Sequence, residues 1–475
     1  MRTIRTNPMS RRRLAACIAT AFALTAFAPV CFAAYDNVQN CNDTGAGSLR
    51  DTIANAATGD TIVLNPVTMQ CSSITLGSGE IVVPQNDLTV KYNGNNSNRF
   101  ILSGSNHRIF HHTGTSKLTL QRLTLQFGKA TDTDAIPIPT GKYTSSAVLG
   151  GCVYSAGVVD MENSQVKYCS VSSSSIGIGG GIGAMKGLIM NNSTLRDNSV
   201  TAFVSPTYGS YAQCGGAFAG VPGLGSGNGY IDTSYSSVTG NAVGGDGGGL
   251  CIIGPFGNTG PGPQSTIQNS TISGNSAAST SAISSSGLLT IANSTVSGNT
   301  ATGTAYSVGA IFVGKTLTLR NSTVAFNSAT NGPAIWFNNQ KYNSIAHYAV
   351  DFDSSIVANN TSNGVESDVY SVVQPSQVLT ITGANNIVMS ASVKVALPAG
   401  TLANDPLLLP LANNGGPTQT HAFRDGSPAF GHGNNNSSLG TDQRGSGFAR
   451  TVNGATDIGA FQQQVRDVVF ANGFD

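Results

Sequence analysis

One short sentence of sequence is written several times in this chain, and it limits the fold more than any other feature. Leu289–Asn299 reads Leu-Thr-Ile-Ala-Asn-Ser-Thr-Val-Ser-Gly-Asn, and Leu317–Asn327 reads Leu-Thr-Leu-Arg-Asn-Ser-Thr-Val-Ala-Phe-Asn. Further copies lie at Asn269–Asn275 and Asn192–Asn198. The apolar residue after the Asn-Ser-Thr position gives a series: Leu125, Val166, Leu195, Val238, Ile272, Val296, Val324 and Val357. Its steps are 41, 29, 43, 34, 24, 28 and 33 residues, so one coil takes about 24 and the rest carries inserted loops. A period in the twenties with alternation inside each unit is the signature of a β-solenoid, because a helical solenoid would show a 3.6-residue spacing.

A second strand recurs in the same units, as Gly150-Gly-Cys-Val153, Gly215-Gly-Ala-Phe218, Gly247-Gly-Gly-Leu250 and Gly309-Ala-Ile311. Stacked coils would place each strand about 4.8 Å from its counterpart. Inward Val, Ile and Leu then form columns, and closing Asn residues such as Asn299 and Asn327 can bond amide to amide up the stack. The expectation is an all-β parallel β-helix of three sheets between residues 74 and 400.

Residues 1–33 read as a signal peptide. Five arginines precede the apolar run from Leu14 to Val30, and small residues end it. Without those five, 19 basic residues face 23 acidic ones, a net −4 for the remainder. A charge-poor, mildly acidic chain argues against a nucleic-acid partner. No second apolar run is long enough to span a membrane. Removal of Cys17 and Cys31 leaves six cysteines, an even count that suggests disulfides in an exported protein. Cys41 and Cys71 flank the first unit and are expected to pair; Cys152, Cys169, Cys214 and Cys251 allow three pairings. Residues 34–73 form an N-terminal cap with one helix, which starts at Ser48 and shows Leu49, Ile53 and Ala56 at helical spacing.

Gly47-Ser-Leu-Arg-Asp51, Gly59-Asp-Thr-Ile-Val-Leu64 and the Asn-Ser-Thr coils resemble exported bacterial right-handed parallel β-helix repeat proteins. The C-terminal motifs are narrower. They are Asp405-Pro-Leu-Leu-Leu-Pro-Leu-Ala-Asn-Asn-Gly-Gly-Pro417, Gly426-Ser-Pro-Ala429, Thr441-Asp-Gln-Arg-Gly445 and Asp457-Ile-Gly-Ala-Phe461. They resemble the choice-of-anchor Q family, which implies a secreted or cell-surface location and no fixed activity. On that resemblance, residues 401–465 form a C-terminal capping region and 466–475 a tail, whose Val469–Asp475 resembles aromatic-acidic tails of other exported proteins.

Chemistry-bearing residues are few. Asp351 and Asp353 alternate with inward Val350 and Phe352, so both carboxylates are expected on one outer strand face, and they are the only catalytic candidates. Lys341, His347, Glu366 and Asp368 flank them. Trp336, the only Trp, is expected to face outward beside a loop carrying Tyr342 and Tyr348. Exposed aromatics beside carboxylates suit sugar recognition, so Trp336, Tyr342, Tyr348, Asp351 and Asp353 form the expected binding set. Asp442, Arg444 and Asp457 read as a structural ion-pair set. His107, His111 and His112 read as a turn and strand face, since adjacent residues of a strand point opposite ways. No cofactor is expected; a Ca²⁺ reading attaches only to Asp132 and Asp134. Three functions fit the sequence. The favoured one is a surface binding or adhesion protein that contacts polysaccharide or a neighbouring cell through loops 129–149, 200–213, 220–229, 254–264 and 338–348. The others are a polysaccharide lyase or hydrolase and a passive shaft.

Overall fold

The computed structural model describes residues 33–464, except 96–97, 139–144, 203, 206–208, 211, 221–228, 254–263, 306, 339–348 and 374–377. The signal-peptide reading for residues 1–32 and the tail therefore lie outside the described residues. So do Lys341, His347, Tyr342 and Tyr348.

The chain forms a right-handed parallel β-helix. One coil serves for all: Leu288–Ala292 belongs to a first sheet, Thr295–Ser297 to a second, Thr300–Ala301 to a third and Ile311–Val313 to a fourth. Repetition builds sheets of 11, 11, 9 and 10 strands among the described residues. The expected three sheets are thus four. The third was hidden because strands of two residues are too short to show alternation.

The register follows the repeat. Leu125, Val166, Leu195, Val238, Ile272, Val296, Val324 and Val357 pair in succession along the second sheet. All are buried and belong to one apolar cluster, joined by inward Leu289, Ile291, Leu317 and Leu319 of the first sheet. The bend from first to second sheet needs a left-handed residue, and Asn supplies it at Asn192, Asn269, Asn293 and Asn321, with φ of 44–51°. Asn and Asp adopt that conformation at less cost than other side-chain-bearing residues because their short polar groups bond locally.

The next residue, Ser, turns inward and forms one ladder. The hydroxyl of each of Ser193, Ser236, Ser270, Ser294, Ser322 and Ser355 accepts from the backbone N–H of the preceding coil's serine, at 3.0–3.2 Å. The closing Asn forms a second ladder. Asn198, Asn241, Asn275, Asn299, Asn327 and Asn360 are fully buried, and each Nδ2 donates to the Oδ1 of the next at 2.8–2.9 Å. All of these amides point the same way. At one end Cys169 N donates to Asn198 Oδ1, and at the other Asn360 Nδ2 donates to Asp368 Oδ1 at 2.7 Å.

Three disulfides join Cys41 to Cys71, Cys152 to Cys169 and Cys214 to Cys251, with Cα separations of 6.5, 5.5 and 5.6 Å. The helix Leu49–Asn55 begins at Ser48, whose Oγ accepts from Asp51 N at 3.2 Å. Its Leu49 and Ile53 enter the main core cluster. A second, four-residue helix, Pro66–Met69, was not signalled by any apolar spacing. No helix among the described residues is long and apolar enough to cross a membrane.

The C-terminal region meets the last coil, where Leu402 bridges Ile387, and its further contacts run back along the flank of the second sheet. Asn293 Nδ2 donates to Thr441 O, and Asn321 Nδ2 to Asn434 O. Thr271 Oγ1 donates to Gln419 O, and Thr295 Oγ1 to Gln443 Oε1, both at 2.6 Å. Thr323 Oγ1 accepts from Ala460 N at 3.1 Å. Leu408, Phe423, Ile458 and Phe461 pack with Ala325, Ile356 and Ile387 in a second apolar cluster. Each letter of Asn-Ser-Thr therefore has its own task in these coils. Asn turns the chain and grips this strap, Ser holds the inner ladder, and Thr grips the strap again.

Candidate functional site

The outer face of the fourth sheet carries an aromatic column at its C-terminal end. Ile311, Ile335 and Val369 face the core, so the next residue in each strand faces out. Those residues are Phe312, Trp336 and Tyr370, paired in register one coil apart. Phe312 and Trp336 are half-buried, Tyr370 is 45% exposed, and the Phe312 and Trp336 ring centroids lie 5.7 Å apart at 70°. The same column continues backward through Ser284, Cys251, Phe218 and Tyr154. There it is covered: Tyr154, Phe218 and Cys251 are buried with Ala147, Leu149 and Ile178 of a small extra sheet. The aromatic face is thus closed over its first half, while Phe312, Trp336 and Tyr370 stay partly exposed over its last.

Asp351 and Asp353 lie on the first sheet, across the next edge, and do not form the expected exposed pair. Asp351 Oδ2 accepts from Arg320 Nη2 at 2.6 Å, and its Oδ1 from Thr382 Oγ1 at 2.8 Å. Asp353 is 3% exposed. Alternation does point it outward, but the strap covers it: Asn434 Nδ2 donates to Oδ1 at 2.8 Å and Asn436 Nδ2 to Oδ2 at 3.3 Å, with Arg320 Nη1 3.5 Å away. Asp353 is a strap anchor, and the pair has no free carboxylate geometry for acid–base work.

A charged group of the same kind went unread in the sequence. Asp160 and Glu162 occupy the same two columns of the first sheet as Asp351 and Asp353, six coil steps earlier. The alternation Asp-x-Glu on a strand was the available signal. Lys117 Nζ lies 3.0 Å from Asp160 Oδ2, and Gln121 Nε2 donates to Glu162 Oε2 at 2.9 Å. A cavity of about 200 Å³ beside them is lined by Asp87, Lys117, Gln121 and Glu162. Tyr230 lies across Gly187, where an added Cβ would meet its ring at 2.5 Å. Burial raises the carboxyl pKa of neighbouring Asp232.

Other candidates are spent on structure. Asp442 and Arg444 form a buried ion pair at 2.6 Å, and the Arg444 guanidinium sits 3.9 Å from the ring centroids of both Phe448 and Phe461. Asp457 accepts from Gly431 N and Gln463 N. His111 faces out to Glu80 at 2.5 Å, while His112 faces in and bridges Ser155 Oγ and Gln85 O. Asp132 accepts from Ser173 Oγ and Ser174 N, and Asp134 from Thr131 N, so both carboxylates tie down their loop. No group of three His, Cys, Asp or Glu among the described residues is arranged to hold a metal ion.

Asp368, where the Asn ladder ends, has a consequence in solution. Burial raises its carboxyl pKa, the bond from Asn360 opposes this, and the neighbouring Glu366 charge reinforces it, holding the value at about 8. The unfolded value lies near 3.8. The folded chain therefore binds the proton more tightly, and stability is greatest below about pH 4 with respect to this group and declines as pH rises toward 8. Urea midpoints at pH 5 and pH 8 should differ in that sense, and Asp368→Asn should reduce the difference. Equal pH dependence in the two proteins would show that Asp368 does not titrate in this window.

No family model matches the chain, and no curated protein does. A solved structure described as the crystal structure of pectate lyase Pel9A is similar in shape. It shares 14% identity, covers 92% of this chain and 98% of that one, and gives a TM-score of 0.45. At that level the likeness says nothing of activity.

Proposed function

We propose that this chain is an exported or cell-surface binding protein of the choice-of-anchor Q kind, and that it holds polysaccharide against the open half of its fourth sheet. The observation that carries the reading is the in-register column Phe312–Trp336–Tyr370. Three partly exposed rings in adjacent coils, the first two edge to face, offer apolar surface at a regular spacing, which suits the apolar faces of successive sugar rings. The three disulfides support an oxidising, extracellular setting. Cleavage of the bound chain is the second reading, and its best-placed groups are Lys117, Asp160 and Glu162, since Asp351 and Asp353 are held by Arg320 and the strap.

The test is affinity electrophoresis through gels containing a panel of polysaccharides. The protein should be retarded by at least one, and Trp336→Ala should weaken that retention by about tenfold, the equivalent of 1.4 kcal/mol. Its melting temperature should stay close to the parent's. A large fall in melting temperature would make Trp336 a packing residue. Product release from the retaining polysaccharide that disappears on Asp160→Asn would favour the enzyme reading.

A further inference from the structure

The bend between the second and third sheets needs a left-handed residue in every coil, and its occupants are not uniform. Gly240, Gly274 and Gly298 fill it in the middle coils, as expected for φ of 63–67°. Asp197 and Asn359 fill it in two other coils, at φ of 54° and 57°, and Phe127, Tyr168 and Phe326 fill it in three more, at φ of 55–57°. A side chain there costs roughly 1–2 kcal/mol in backbone strain. Burial does not offset it, because the three are 52%, 41% and 40% exposed. Phe127 and Tyr168 stack at 5.5 Å and 12°, and the Arg196 guanidinium and Lys167 ammonium lie 5.0 and 5.5 Å from the Tyr168 ring.

The strap turns the other end of this line into a groove of about 570 Å³. Its floor is Gly274 and Gly298, where an added Cβ would meet nothing closer than 3.8 Å. Phe326, Leu408, Leu411 and Arg424 wall it. From the coil of Phe127 to that of Phe326 is six steps, or about 29 Å at the usual strand spacing. The charges along the line are mixed but not balanced. Asp197 is held by Arg196 at 2.5 Å, while neither Lys167 nor exposed Arg424 makes an ion pair among the described residues.

We propose that this line, from the Phe127–Tyr168 stack to the groove at Phe326 and Arg424, is a binding track for an extended anionic polysaccharide. It lies on a different edge of the solenoid from the Trp336 column and does not depend on it. Aromatic rings at both ends meet apolar sugar faces, the glycine floor lets a chain lie close to the backbone, and Lys167 and Arg424 face its carboxylates.

Retention in gels containing alginate, with uncharged dextran as reference, tests the track. Alginate should retard the full chain and dextran should not, and added salt should weaken the effect. Phe326→Ala with Arg424→Gln should weaken alginate retention by about tenfold, and Tyr168→Ala by severalfold. Each variant should melt with the parent, since these side chains are exposed. Trp336→Ala should leave alginate retention unchanged. Lack of retardation by alginate, dextran retardation that the track variants weaken as much as they weaken alginate retention, or folded track variants that behave as the parent would overturn the track. Loss of alginate retention in Trp336→Ala alone would also overturn it, while supporting the aromatic column. Loss in the track variants alone, with Trp336→Ala silent on every polysaccharide, would do the reverse.

Discussion

Asn299→Ala should lose at least about 3 kcal/mol of stability, because it leaves several buried polar groups without partners at about 1–3 kcal/mol each. Asn299 Oδ1 accepts from both Asn275 N and Asn275 Nδ2, and its Nδ2 donates to Asn327 Oδ1 and Ile272 O. Alanine removes these contacts and a further one from Nδ2 to Ser297 O, at a site with no exposure, so water cannot replace them. The damage should also spread along the stack, since the stability of a solenoid depends on the interface between neighbouring coils. Thr300→Ala, one residue on and exposed, is the control and should stay within about 0.5 kcal/mol of the parent. Urea denaturation of the three proteins checks this. An Asn299→Ala midpoint equal to that of Thr300→Ala would mean that the ladder contributes nothing to holding the coils together.

The second large effect concerns the strap. Arg444→Ala should free residues 407–462 from the flank at a cost of about 3–5 kcal/mol, the usual penalty for removing one partner of a buried pair. Asp442 would remain buried with only the Arg444 and Gln462 N–H groups as donors. Phe448 and Phe461 would lose the guanidinium that separates them. Cleavage by a protease should then begin within 401–464 while the coils before Asn269 stay intact. Replacing Asp442 as well, by Asn with Arg444→Met, should recover part of the loss, because the unpaired charge is gone. A single cooperative transition, with no early cleavage of the strap, would show that strap and coils unfold as one unit.

The columns of this solenoid were legible because strand alternation and a repeated turn are local in sequence. Every marker residue from Leu125 to Val357 lies in the register that the repeat spacing implies. The Asn corner was legible for the same reason: a buried amide at a fixed place in each coil has little to bond except its neighbours above and below. The strap was not legible. Thr295 reads as an ordinary solvated strand residue, yet it is fully buried by Gln443, 148 residues later. Asp353 misled in the same way, since alternation sets its direction but not what covers it. Asp160 and Glu162 were passed over although their pattern equals that of Asp351 and Asp353. Only the stacking shows that the two pairs share columns and that Lys117 neutralises one member. The aromatic residues at the bend, Phe127, Tyr168 and Phe326, carry no mark in the sequence that they stay exposed.

Trp336 fluorescence tests the proposed binding face most directly, because the chain has no other tryptophan and every change in indole emission reports on this one place. Titration of the purified chain with oligosaccharides of a retaining polysaccharide should shift the emission saturably, with the same midpoint as binding measured by calorimetry, and Tyr370→Ala should raise that midpoint. Binding seen by calorimetry with an unchanged tryptophan spectrum would place the ligand elsewhere and contradict the assignment of the Phe312–Trp336–Tyr370 column.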